Sequence, residues 1–288
     1  MLTFKNLREI LLTRYKIRWG DSMAQYGIFA WFGYQLPIDT RLRLISEAGF
    51  DCVMLWWGDE FYDTDGEKTK HPDMARKYGL CVANAHAPYQ YANYLWDDGI
   101  NGEAYEKMLL ECIRTCAFCE IPILVIHPAE GHFPRFPVGD TGIQRLLRLL
   151  DEASRLGVRL ALENVERPDY LEYVFCNIYS ENLGFCYDSG HDFLVSGGFS
   201  MLKKYAGRLL ALHLHDNDGK EDQHLVPGEG RINWEDLRLR LNMAGFGGPL
   251  TLECFAPWDG DIEKIRRESP EEYLGRALKA VKKFFEVK

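Results

Sequence analysis

No run in this 288-residue chain approaches the ~20 consecutive apolar positions that cross a bilayer, which excludes a helical membrane span. Basic charge is in short supply. Lysine and arginine number 34 against 43 acidic residues, a formal net charge of -9. Such a chain lacks the basic face that neutralises nucleic-acid phosphates, so no nucleic-acid partner is expected. Bound divalent cations would offset part of the negative charge. The basic residues Lys5, Arg8, Arg14, Lys16 and Arg18 precede no continuous apolar segment, so no signal peptide is read there. Internal repeats and low-complexity linkers are missing too, and segment lengths leave no room for a second domain.

Cysteine is not scarce. Eight occur, mostly within or beside apolar runs, as expected for reduced, buried thiols of a cytoplasmic protein. Cys112-x3-Cys116-x2-Cys119 has the spacing of the radical SAM iron–sulfur motif. It lies, however, in a helical pattern from Tyr105 to Phe118, where positions i, i+4 and i+7 share one face. Those three residues read as core.

What the chain does have is a regular alternation. Apolar runs at Gly27–Phe32, Cys52–Trp57, Leu80–Ala87, Ile123–Pro128, Arg159–Val165, Gly184–Asp188, Leu209–Asp216 and Leu250–Phe255 read as strands buried on both faces. Thr40–Ala48, Ala104–Phe118, Thr141–Leu156, Glu235–Ala244 and Glu271–Glu286 carry apolar residues at three- and four-residue spacing. Strands alternating with helices at this length predict a single-domain (β/α)8 TIM barrel over residues 25–288. Residues 1–24 are expected to be an N-terminal extension, helical from Phe4 to Tyr15, with Met23 as an alternative start. Oligomeric state is left open, a homo-oligomer being compatible with the sequence.

Metal-binding residue types collect at the ends of these runs: His86, His127, Glu163, Asp188, His191, His213, Asp222, His224 and Glu253. With His215, six of the eight histidines fall in this pattern. In a parallel barrel the loops after the strands form one face, so the topology brings all of these residues together. Imidazole and carboxylate are the ligand set for zinc, manganese and related divalent ions. A carboxylate ending the run Arg-Leu-Ala-Leu-Glu163 points into the barrel mouth, where an unpaired charge is costly, and Glu253 repeats the situation. Asp188-x-x-His191 places two ligands around one turn, or makes a capped loop. His213 and His215 point the same way because strand side chains alternate. Either is the candidate ligand of strand seven.

Leu-Glu163-Asn, Asp188-x-x-His191, His213-Leu-x-Asp216 and Asp222-x-His224 followed by Gly228-Glu-Gly230 carry a resemblance to the xylose isomerase-like barrel superfamily. That group holds sugar-phosphate isomerases and epimerases and type IV apurinic endonucleases, and the resemblance runs from about Gly27 onward. It implies one shared metal site at Glu163, Asp188, His213 and Glu253. It also implies further ligands at His86, His127, His191, Asp222 and His224, as in the trinuclear zinc centre of the endonuclease branch. Two departures stand out. The segment Glu163-Asn-Val-Glu-Arg-Pro-Asp169 differs from the longer ketose 3-epimerase motif. The substrate-clamping arginine of that branch has only distant candidates in Arg231 and Lys220.

The expected activity is a divalent-metal-dependent isomerase or epimerase of a small sugar or sugar phosphate. The metal would be zinc, manganese, magnesium or cobalt. A metal-stabilised cis-enediolate would form, with Glu163 and Glu253 as general base and acid. His191 and His215 are expected to hold substrate oxygens, and Trp56, Trp57 and Phe32 to form an apolar wall. The alternative expectation is a multinuclear zinc phosphoesterase resembling the apurinic endonucleases.

Overall fold

A computed structural model describes residues 24–256 and 268–286. The expected N-terminal extension, apart from Ala24, lies outside the described residues. Eight strands follow one another along the chain: β1 (Tyr26–Phe29), β2 (Cys52–Trp56), β3 (Cys81–His86), β4 (Ile123–Ile126), β5 (Arg159–Glu163), β6 (Leu183–Asp188), β7 (Leu209–His213) and β8 (Leu250–Leu252). Each pairs in parallel with its sequence neighbours, and β1 also pairs with β8. The seam between β7 and β8 is closed by a bridge from Leu214 to Leu252. There Leu214 N–H donates to Thr251 at 2.9 Å and Glu253 N–H donates to Leu214 at 3.0 Å. The expected (β/α)8 barrel is therefore the observed fold.

Strand side chains alternate in direction, and this divides the interior into two layers. Leu124, Ile126, Leu160, Leu162, Phe185, Tyr187, Leu212 and Leu252 belong to a large apolar layer between barrel and helices. Their neighbours Ile123, Val125, Ala161, Cys186 and Ala211 form a separate small cluster inside the barrel. Counting two residues up from Ala161, Cys186 and Ala211 reaches Glu163, Asp188 and His213. The same parity brings His86, Trp56, Trp31 and Glu253 to the inner face. The inner filling is small, so the mouth stays open above it.

Helices Ile38–Ala48, Ile100–Phe118, Asp140–Leu156, Trp234–Met243 and Pro270–Phe285 correspond to the expected ones with shifted ends. Cys112 and Cys116 are buried on the second of these, within the apolar layer. Several strands stop short of the apolar runs that announced them, because ladder pairing ends before the extended chain does. The stretch read as a ligand pair or capped loop, Asp188-x-x-His191, opens a helix, Ser189–Ser196, with Asp188 as its N-cap. Helices His71–Lys77, Pro168–Asn177 and Ser200–Tyr205 were not anticipated.

The loop after β7 is tied down by one buried carboxylate. Asp216 accepts hydrogen bonds from the backbone N–H groups of Asn217 (2.9 Å), Gly228 (2.9 Å) and Ile232 (3.1 Å) and from Trp234 Nε1 (2.7 Å). Gly230 fits because a Cβ there would lie 2.3 Å from both the Asn217 carbonyl and Asp216 Oδ1. The His213-Leu-x-Asp216 and Gly228-Glu-Gly230 motifs are thus two halves of one anchor. Asp216→Ala is expected to destabilise the fold by about 3 kcal/mol or more, since it strands several buried donors. A denaturant melt checks this, and a loss below about 1 kcal/mol would show that the loop repacks around the gap.

Candidate metal centre

Glu163 ends β5 at the centre of the mouth with 1 % of its surface exposed. Four imidazoles surround it. His213 Nδ1 lies 2.9 Å and His86 Nε2 3.1 Å from Oε2, His127 Nε2 is 3.4 Å from the same oxygen, and His191 Nδ1 is 3.5 Å from Oε1. Glu253, one residue past β8, brings Oε2 to 3.1 Å from His213 Nδ1. Asp188 accepts from the His191 backbone N–H at 2.7 Å and meets His215 Nε2 at 3.0 Å through both oxygens. Farther along, Asp222 Oδ2 lies 3.2 Å from His191 Nε2 and 3.0 Å from His224 Nε2. His224 holds a left-handed backbone (φ 47°), uncommon without glycine, of a kind that concentrates at functional sites.

These side chains fall into overlapping groups. Ligand atoms of Glu163, Asp188, His213 and Glu253 lie within 4.8 Å of one another, and so do those of His86, His127 and Glu163 and those of His191, His215, Asp222 and His224. All nine residues of the sequence pattern are therefore brought together.

Backbone carbonyls decide the tautomers. His86 Nδ1 pairs with the Ala87 carbonyl at 2.8 Å, His191 Nδ1 with that of Asn164 at 2.9 Å, and His224 Nδ1 with that of Glu253 at 2.6 Å. A carbonyl only accepts, so each Nδ1 carries the proton and each neutral ring turns a bare Nε2 toward a carboxylate. Lone pair then faces lone pair at about 3 Å unless a cation stands between them, either a proton or a metal ion. His213 adds a second sign. Fully buried, it has no satisfied hydrogen bond at either ring nitrogen. The donor set of imidazole and carboxylate fits a divalent ion.

In the absence of metal, protons fill this role at His191 and His224. Burial disfavours charge on His224, but the hydrogen bond and charge of Asp222 outweigh it and raise its pKa to about 9. Burial would raise the Glu253 carboxyl, yet the charge of the neighbouring His213 pulls it down to about 2. Glu163 is likewise held well below the usual range by His213 and His127 against the cost of burial.

Above the ligands opens a cavity of about 370 Å³. His86, His127, Glu163, His191, Asp222, His224 and Glu253 form its polar floor, and Trp31, Trp56, Tyr89 and Phe255 line its walls. Of the three aromatics expected there, only Trp56 faces this space. Trp57 and Phe32 have the opposite strand parity. Trp57 is fully buried and donates Nε1–H to Thr115 at 2.8 Å, and Phe32 stacks on Tyr273 in the outer layer. His215 does not reach the cavity either. It is fully buried, with Nε2 3.0 Å from both Asp188 oxygens and its ring stacked 3.9 Å from that of His224. Neither Arg231 nor Lys220 lines the cavity. Unanticipated lining residues are Trp31, Tyr89, Glu130, Glu166 and Phe255. Tyr89, Glu130 and Glu166 each stand three positions after an identified ligand, a spacing visible in the sequence.

Two outcomes follow for metal loading. Because His224 is protonated below pH about 9 and a metal needs the neutral ring, loading with zinc near neutral pH should release protons. Calorimetry in buffers of different ionisation enthalpy reads this directly, and a buffer-independent heat would contradict it. Elemental analysis after full zinc loading should also give more than one equivalent per chain. One equivalent or fewer would leave the His191, Asp222 and His224 group without an ion.

The family model described as xylose isomerase-like TIM barrel matches residues 42–284. An uncharacterized protein of Sinorhizobium fredii is 33% identical over 256 residues, covering 76% of this chain and 82% of its own. Fructoselysine 3-epimerase of Escherichia coli O157:H7 is 24% identical over 273 residues, covering 88% and 97%. Among solved structures, D-psicose 3-epimerase from Clostridium cellulolyticum H10 superposes with a TM-score of 0.72 at 14% identity, covering 91% of this chain and 100% of its own. With the family model spanning most of the barrel, this chain belongs to the xylose isomerase-like TIM barrel family.

Proposed function

We propose that the protein is a divalent-metal-dependent epimerase or isomerase of a small sugar, with Glu163 and Glu253 as acid and base. The observation that carries this reading is the pair of glutamates. Both reach the cavity, one from the end of β5 and one just past β8, and both share His213 Nδ1, at 2.9 and 3.1 Å. Relatives named as sugar epimerases support it.

Glu163, Asp188, His213 and Glu253 would hold a divalent ion, which when bound would supply Lewis acidity to the substrate. The rest of the chemistry belongs to the chain. One glutamate takes the proton from the carbon beside the carbonyl, leaving an enediolate. The other returns a proton from the opposite side. Return to the same carbon inverts it, and return to its neighbour moves the carbonyl. Ionised carboxylates are required for the first step, and the imidazole field keeps them so. His191 lines the cavity within reach of a substrate hydroxyl, while Trp31, Trp56, Tyr89 and Phe255 offer apolar faces to the sugar C–H groups.

The multinuclear zinc phosphoesterase reading keeps one supporting observation, the second ligand group around Asp222. Against it, no lysine or arginine among the described residues lines the cavity to receive a phosphodiester.

Glu163→Gln and Glu253→Gln are each expected to lower kcat by about a hundredfold or more, the scale of a lost general acid or base. Deuterium from solvent should enter a ketose at the carbon beside its carbonyl, and both variants should slow that exchange. Exchange at the wild-type rate in either variant would remove that glutamate from the mechanism. Chelation of the metal-loaded protein should abolish exchange and lower Tm, because the clustered carboxylates lose their counter-charge. An unchanged Tm in protein shown to be metal-free would count against a bound ion.

A further inference from the structure

We propose that this cavity takes a polyol bearing a protonated amine, with Glu130 and Glu166 as its ammonium subsite and Glu60 and the aromatic wall completing it. The inference deepens the sugar-epimerase reading and rests on it only for the polyol half of the substrate. It begins from the charge of the walls. Outside the ligand groups, every ionised side chain among the described lining residues is acidic: Glu60, Glu130 and Glu166. A substrate phosphate would enter an uncompensated negative field.

Glu130 and Glu166 are not engaged elsewhere. Glu130 uses its backbone groups on Asn93, and among the described residues no hydrogen bond or ion pair holds the side chain of Glu130 or of Glu166. The adjacent Arg167 is turned away onto Asp169 at 2.6 Å. Burial and the neighbouring Glu166 charge raise the Glu130 carboxyl, so the two acids oppose each other. Both carboxylates are only partly buried, and a cationic ligand would supply the positive charge that no lysine or arginine among the described lining residues brings to them.

The walls suit the same ligand. Trp31 and Phe61 stack at 5.2 Å with planes 15° apart, and Trp56, edge-on to Tyr89 at 5.7 Å, donates its indole N–H to Glu60 at 2.7 Å. Aromatic faces beside carboxylates attract an ammonium through the ring quadrupole as well as through charge. The nearby cation, Arg41, lies over Trp31 but is 2 % exposed and committed to Asp65 and the Ala30 carbonyl, so it does not serve the cavity. A neutral sugar gains neither interaction, and a phosphorylated one is repelled.

Calorimetric titration of the metal-loaded full chain decides the matter. The probes are D-fructose, 1-amino-1-deoxy-D-fructose, 6-amino-6-deoxy-D-fructose and D-fructose 6-phosphate. At least one amino ketose should bind about tenfold or more tightly than D-fructose, and the phosphate more weakly than D-fructose. In Glu130→Gln/Glu166→Gln the amine preference should fall to within about twofold. Each single variant should give an intermediate ratio, which serves if the double variant does not fold. Three results overturn the proposal: no amino ketose binding above D-fructose, the phosphate binding as well as the amines, or a preference that survives both substitutions. Solvent deuterium exchange is followed in parallel. If no probe exchanges while the amine preference stands, the epimerase reading fails and the ammonium subsite remains.

Discussion

The barrel mouth concentrates negative charge where water cannot screen it. Glu163, Asp188 and Glu253 are buried together, and burial disfavours the charged forms of Glu163 and Glu253. Positive charge has to come from the imidazoles or from a bound ion, and the fold supplies the former in quantity. Everything above the barrel floor follows from this requirement. Histidines arrive from β3, from β7, from the helix that opens after β6 and from the loops after β4 and β7. Their rings are held by peptide carbonyls that fix which nitrogen faces inward. Small residues at Ala161, Cys186 and Ala211 leave these groups room.

Much of this was legible in the sequence because two periodicities are simple. Apolar runs between amphipathic segments gave the barrel, and ligand-type residues at run ends gave the nine members of the centre. What was misread came from parity. Phe32 and Trp57 stand at strand ends as Trp31 and Trp56 do, but one step in a strand exchanges the inside for the outside. Run length alone does not carry that information, since strands buried on both faces are apolar at every position. The ladder parity of Ala161 with Glu163 and of Cys186 with Asp188 does.

His215 illustrates a different limit. Its parity is that of His213, and sequence alone left it a ligand or a substrate contact. Its position beneath Asp188 depends on Gly190, where a Cβ would fall 2.0 Å from the His215 ring. That glycine lies 25 residues away along the chain, so the relation exists only once β6 and β7 are adjacent. The Asp216 anchor was partly hidden for the same reason. Its motif was visible as a pattern, whereas its partners Gly228, Ile232 and Trp234 are joined to it by the turn they create.

Glu253 contributes to two ligand groups at once. Its carboxylate stands beside His213, while its main-chain carbonyl fixes the ring of His224 in the neighbouring group. One residue thus touches both groups, one through its side chain and the other through its own peptide carbonyl. With an ion in each group, any effect of one occupancy on the other would be reciprocal: whatever factor the first ion imposed on the affinity of the second, the second would impose on the first. A centre loaded in this way would sense how full it is.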